Sequence, residues 1–191
     1  MENIISKGIM AIMPTYESGK GNCTTVYTEK ENILIDATVR TVIKNLCAYY
    51  HVDMDASNKY FGELLSIKKG IPLPLSRDDV FIQLKVRKPI IRYDGTRGYF
   101  NLDSIEKVEK LNDNSVVLLK NGIEIKCIYS KNTVIKHIKK GKVARMIYEN
   151  KYSSFNANDI MERYAALETP VTKADLAKMF FIILEVINRI K

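Results

Sequence analysis

Ser115-Val-Val-Leu-Leu-Lys-Asn-Gly-Ile-Glu-Ile-Lys-Cys-Ile128 decides the fold class. An apolar run, the dipeptide Asn121-Gly122 and an alternating run describe two strands joined by a tight turn. Asn-Gly favours such hairpins because both residues accept the positive φ that a tight hairpin turn demands. Strands joined this way are antiparallel. Upstream, Val80-Phe-Ile-Gln-Leu-Lys85 reads as another strand, and Pro89-Ile-Ile-Arg-Tyr93 follows it in strand-rich sequence before a turn at Asp94-Gly95. Tyr99 to Leu111 mixes both periods, and Asn112-Asp-Asn114 reads as a turn.

Working outward, Lys7 to Pro14 predicts a short buried strand stopped by its proline, and Tyr16 to Asn22 a loop. Cys23–Tyr27 and Asn32–Ile35 predict two further strands. Between Ala37 and Tyr50, Val39, Val42, Ile43, Leu46 and Tyr50 recur at helical spacing. A second helix is expected from about Ala56 to Ile67, broken by Gly70-Ile-Pro-Leu-Pro74. Ser130 is placed to cap a helix ending near Lys140, with Gly141 as its stop. On that helix Val134, Ile135 and Ile138 share one face, leaving Lys136, His137 and Lys140 on the other. The expected architecture is α+β, a mainly antiparallel sheet with flanking helices. Residues 1–150 would form the binding domain and residues 151–191 a C-terminal helical appendage.

The charge is unevenly placed. The chain of 191 residues has 30 Lys and Arg against 22 Asp and Glu. Seven of those bases (Lys126, Lys131, Lys136, Lys139, Lys140, Lys142 and Arg145) fall in one stretch, and no acid lies between Glu124 and Glu149. Without the seven, 23 bases face 22 acids, so the basic character is local. A like-charged cluster repels itself, and its commonest use is to meet a polyanion. A second basic island, Lys85, Arg87, Lys88 and Arg92, runs into Asp94-Gly-Thr-Arg97-Gly-Tyr-Phe100, where a turn would project Arg97. The stretch is poor in aromatics, so duplex DNA suits it better than single-stranded RNA, which is read by stacking.

Other function classes find little support. Cys23, Cys47 and Cys127 are far apart, with no CxxC or HxxxH spacing, so reduced core thiols are expected and no metal site. Gly19-Lys-Gly21 lacks the spacing of a phosphate-cradling loop, and Asp53/Asp55 and Asp78/Asp79 lie in apparent loops. No nucleophile sits in a glycine elbow. No catalytic residue and no cofactor are expected. The first residues hold no apolar stretch of signal-peptide length, and Met179–Ile187 is too short to span a membrane. A cytoplasmic protein is expected, with no membrane partner.

The last segment is of a different kind. After Thr169-Pro170, Thr172-Lys-Ala-Asp175 resembles a capping box opening a helix. Leu176, Met179, Phe180, Ile183 and Ile187 would make its apolar face, widened by Phe181, Ile182 and Leu184. A terminal helix so apolar is expected to be wedged in a core or paired with a second protomer.

In order and spacing, these features resemble the competence transcription factor family typified by ComK. The resemblance rests on Gly8-Ile-Met-Ala-Ile-Met-Pro14, Cys47-Ala-Tyr-Tyr50, Asn58-Lys-Tyr-Phe-Gly62, Val80-Phe-Ile-Gln-Leu84, Gly98-Tyr-Phe100, Val116 to Gly122 and Ser130-Lys-Asn132. Tyr99 stands where the family has tryptophan, and Asn58-Lys59 where it has an Arg-Lys pair. From Arg92 to Gly141 the chain is also similar to LytTR-type DNA-binding domains, through Arg97-Gly-Tyr-Phe-Asn-Leu102, Leu119-Lys-Asn-Gly122 and Ser130-Lys-Asn132. Both resemblances imply a duplex-DNA-binding activator of transcription. In the ComK family its target is paired AT-rich boxes, bound by an oligomer. The residues expected to face DNA are Lys88, Arg92, Arg97, Lys131, Asn132, Lys136, Lys139, Lys140, Lys142 and Arg145. A homodimer or higher oligomer is expected, with RNA polymerase and a proteolytic adaptor as further candidate partners. The alternative reading is a protein-interaction module whose lysines only solubilise it.

Overall fold

A computed structural model of the chain describes residues 1–90 and 94–152. Met1–Glu149 form one compact unit. The class is α+β. A short helix, α1 (Glu2–Ile5), precedes β1 (Ile9–Glu17), β2 (Gly21–Thr28) and β3 (Asn32–Ile35). Then come helices α2 (Val39–Tyr49) and α3 (Met54–Leu64), and strands β4 (Leu73–Pro74), β5 (Val80–Lys85) and β6 (Arg97–Asn101). A 3-10 turn at Leu102–Ser104 leads into β7 (Ile105–Leu111), β8 (Asn114–Leu119), β9 (Glu124–Cys127) and the long helix α4 (Lys131–Tyr152).

The strands make two antiparallel sheets, one of six strands in the order β3-β2-β1-β6-β5-β4 and one of three in the order β7-β8-β9. β5 explains why the large sheet needs two covers. Val80, Ile82 and Leu84 enter a core with Val117, Leu119, Ile125 and Cys127 of the small sheet and Val134 of α4. Phe81, on the opposite face, packs with Val42, Ile43 and Leu46 of α2. A strand buried on both sides reads as a continuous apolar run rather than an alternation, which is what Val80-Phe-Ile-Gln-Leu84 does. The small sheet has one buried face, so Ser115, Val117 and Leu119 alternate with half-buried Val116 and Leu118.

Local chemistry sets the joints. The Asn121-Gly122 hairpin forms, but with Gly122 and not Asn121 at positive φ (+84°); the Gly122 N–H donates to the Leu119 carbonyl at 2.8 Å. The Asn121 side chain also donates to the Thr28 carbonyl at 3.1 Å, tying this hairpin to the large sheet. Thr38 caps α2 by accepting from the Thr41 N–H, and Asp53 Oδ1 caps α3 by accepting from Asp55 and Ala56, each at 2.9 Å. The Ile128 N–H donates to the Lys85 carbonyl at 2.8 Å, which joins the ends of β9 and β5 just before α4.

Several expectations are corrected. Pro14 does not stop β1: the strand runs on to Glu17, with Pro14 opposite Thr24. β6 pairs with β1 only at Ala11 and Ile12, so Pro14 lies on a one-sided stretch where a missing N–H can be tolerated. The expected loop from Tyr16 to Asn22 narrows to the turn Ser18–Lys20 between β1 and β2. α3 starts at Met54 rather than Ala56, because Asp53 is its cap, and it ends at Leu64. Pro89 and Ile90 are not in a strand. The mixed-period segment resolves into β6, a 3-10 turn and β7. Gly141 does not end α4, which continues through it to Tyr152. The expected helical appendage after residue 152 lies outside the described residues.

Candidate nucleic-acid interface

α4 carries most of the basic stretch, and its sequence decides which way each charge points. Val134, Gly141 and Ala144 are buried, and they set one inner face. The opposite ridge then holds Asn132, Lys136 and Lys139, all exposed, followed by Val143 and Met146, which are 44% and 61% exposed. Lys140 and Lys142 flank this ridge on opposite sides, Lys140 half-buried and Lys142 exposed.

The helix begins at Ser130, whose carbonyl accepts from the Val134 N–H at 3.1 Å and whose Oγ lies 3.0 Å from Thr133 Oγ1. Exposed Lys131 and Asn132 form its first turn. They border a cleft of about 260 Å³ shared with Lys110 and the Asn112–Asn114 turn between β7 and β8. The free N–H groups and positive dipole end of a helix of this length add to the Lys131 charge. Lys142 opens onto a second cleft, about 360 Å³, that Lys107, Lys120 and Arg145 also line.

Arg145 is occupied otherwise. Its guanidinium makes a two-pronged pair with Asp103, Nη1 to Oδ1 at 2.9 Å and Nη2 to Oδ2 at 2.7 Å. That pair bolts α4 to the turn after β6 and neutralises the charge locally.

The second island is also divided by its contacts. Arg87 donates from Nε to the Gly95 carbonyl at 2.8 Å and from Nη2 to Asn22 Oδ1 at 2.6 Å, and lies 4.9 Å above the Tyr16 ring. It folds the β5–β6 loop onto the β1–β2 hairpin. Asp94 accepts from Tyr16, at 3.0 Å to Oδ1, and from the Ile90 N–H at 2.8 Å, holding the same loop. Lys88 is exposed on that loop, and Arg92 lies outside the described residues. Arg97 is the first residue of β6, opposite Lys85, and not on a projecting turn.

His137 is not on the solvent face with Lys136. It is half-buried and its ring stacks on Tyr129, centroids 5.5 Å apart and planes at 9°. Its pKa lies below the usual histidine value, first through burial and then through Lys140 and Arg97, against the opposing pull of a hydrogen bond to the Gly70 backbone. Gly70 is buried with φ +67°, and a β-carbon built on it would lie 2.6 Å from His137 Cε1 and 3.4 Å from Arg97 Nη1. Lys68 and Lys69, exposed just before it, were absent from the sequence reading. A lysine pair beside a glycine-proline breaker was the available signal. Arg40 of α2 was missed too; with Arg97 it opposes the burial-driven rise of the Tyr99 pKa.

Catalytic chemistry has little to draw on here. The three cysteines are buried free thiols, and burial pushes Cys47 up to about 11 and Cys127 up to about 12, away from reactive thiolate. Among the described residues no group of three His, Cys, Asp or Glu is arranged to hold a metal ion, and no helix is long and apolar enough to cross a membrane.

Compared with known proteins, residues 1–153 match the family model described as ComK protein. No curated protein and no solved structure matches the chain. The matched span holds both sheets, the four described helices and every described basic residue discussed above. The chain belongs to the ComK family, a family of competence transcription factors rather than of enzymes.

Proposed function

We propose that the chain binds duplex DNA at AT-rich boxes, as an oligomer, and activates genes for DNA uptake from within the cytoplasm. The observation that carries the reading is the outer ridge of α4. Asn132, Lys136 and Lys139 stand exposed along one line, continuing from Lys131 at the helix start, on a chain of a transcription factor family. Lysines spaced along a helix and facing water are suited to phosphates, which fix register without reading sequence. Lys140, Lys142 and Lys88 extend the charge to either side. Arg92 and Arg97 complete the proposed set, and Arg145 supports it by holding α4 against Asp103.

Preference for AT-rich sequence is supported by the family resemblance and by physics. A narrow AT-rich minor groove concentrates negative potential and draws in Arg and Lys. The turn Asn112–Asn114 and the first turn of α4, meeting at one cleft, are the elements best shaped to enter a groove. Local similarity to LytTR-type domains over this span favours the same surface. Residues 1–150 would serve as the binding domain and residues 151–191 as the assembly segment. Leu176, Met179, Phe180, Ile183 and Ile187, outside the described residues, are the proposed pairing positions on their sequence pattern.

Selection of bound duplexes from a random pool tests the reading. Enrichment of AT-rich boxes is the expected result. A pool that stays random would favour a protein-interaction module, with the lysines acting as solubilising charge.

A further inference from the structure

Two cations and a histidine meet where α4, β6 and the loop before β4 come together. His137 Nδ1 and Arg97 Nη1 lie 3.3 Å and 3.4 Å from a single point, the position a β-carbon on Gly70 would take. Lys140, three residues and just under one helical turn beyond His137, acts on the same imidazole. The groups that face His137 come from every element packed around it. Lys140 belongs to its own helix, Arg97 to β6, the Gly70 backbone to the loop before β4, and the Tyr129 ring to the β9–α4 connection. None is a carboxylate. Neither Arg97 nor Lys140 has an ion pair or side-chain hydrogen bond among the described residues.

Gathering Arg97 and Lys140 at a half-buried imidazole costs repulsion and lowers the imidazole's affinity for a proton. Elsewhere the chain neutralises such costs: Arg145 has Asp103 and Lys7 has Glu31. Among the described residues no carboxylate compensates here. Gly70 lets the loop before β4 pack directly on the imidazole, since any side chain there would collide with His137.

We propose that Arg97, His137 and Lys140 form a phosphate-binding clasp for the DNA backbone, in which His137 takes up a proton as the phosphate enters. The clasp rests on the duplex-binding reading above and adds to it a specific contact and a proton. The phosphate places a negative charge beside the imidazole, offsets the two neighbouring cations, and raises the proton affinity of His137 in the complex. Linkage then sets the sign. Because the bound state holds the proton more tightly than the free state, duplex affinity is highest below the free-state pKa. It falls as pH rises between the free-state and bound-state values, by up to about tenfold per pH unit, and is flat above both.

The two histidines, His51 and His137, make the test direct. Their ring-proton resonances are titrated in the full chain, free and saturated with a duplex recovered by selection, and assigned with His137→Gln. His137 should titrate at higher pH in the complex than in the free chain. In parallel, duplex affinity is measured across pH 5–8 for the wild type and His137→Gln, with proton uptake read by calorimetry in buffers of different ionisation heat. The wild type should take up close to one proton more than the variant, whose weaker binding should lose the pH slope. If the duplex binds but His137 titrates alike with and without it, the clasp is wrong and the duplex-binding reading stands. Failure to bind any duplex at any pH overturns both.

Discussion

Gly141 lies directly against Ile82: a β-carbon built on the glycine would sit 2.6 Å from Ile82 Cγ2 and 3.3 Å from Leu102 Cδ1. This contact lets α4 lie close on the large sheet and fixes where its cations stand. Ile82 is 1% exposed, and its branched methyl is locked in the sheet and cannot swing aside. Alanine at this site would gain about 1 kcal/mol of helix propensity but incur an overpacking cost of about 1–3 kcal/mol. Gly141→Ala is expected to lower stability by about 1 kcal/mol net, read as a shifted denaturant midpoint. Leucine should cost more. Unchanged stability with alanine would show that α4 does not press on β5 as described.

The same glycine shows what the sequence could and could not tell. In sequence, glycine after Lys139-Lys140 looks like a helix stop, because an exposed helix with that glycine inside it gains nothing from it. The reason to keep it is a sheet residue, Ile82, remote in the chain. Local signals were legible: the Asn121-Gly122 hairpin, the Val39–Leu46 stripe and the β5 run all correspond to described elements. Long-range partners were not. Arg145 reads as a DNA contact until Asp103 is beside it, and Arg97 reads as a turn residue until β5 pairs with it. His137 looked exposed because the helical wheel alone does not show Tyr129 stacked on its ring.

Salt dependence separates the cations that meet phosphate from those held by protein. With about six phosphates neutralised, the slope of log K against log[salt] should be near −5, and Lys136→Gln or Lys139→Gln should each reduce it by about 1. Arg145→Gln should leave the slope nearly unchanged, because Asp103 already neutralises that charge. Its cost should appear as stability instead, about 1 kcal/mol, since Asp103 is about half exposed and water screens the pair. A drop in slope for Arg145→Gln equal to that for Lys136→Gln would return Arg145 to the phosphate contacts.

Alkaline pH should unfold the chain through its buried acids. Burial pushes Cys127 up to about 12 and Cys47 up to about 11. Tyr50 is raised too, by burial and by donating to Asp79 Oδ2 at 2.6 Å. Each folded-state value lies above the unfolded one, so each group's contribution is complete below the unfolded pKa. It is lost as pH climbs through the folded one, so stability should decline from about pH 9 upward. Cys127→Ala should flatten the decline while costing some stability at neutral pH for the volume removed. A decline equally steep in Cys127→Ala would exclude that thiol as a contributor.

The proposed oligomer stands or falls on the last apolar stretch. Leu176, Met179, Phe180, Ile183 and Ile187 recur at helical spacing, and burying each large side chain is worth about 1.5–3 kcal/mol. Linked protomers gain affinity for paired sites because the second contact becomes intramolecular. Charge placed within this stripe should break the link without touching the described unit, so Phe180→Asp is the informative substitution. The expected result is a lower mass by light scattering and weaker binding to two adjacent boxes, with a single box bound as before. An unfolded Phe180→Asp chain would instead place Phe180 in the core of its own protomer. An unchanged mass together with unchanged paired-box affinity would remove this stripe from assembly altogether.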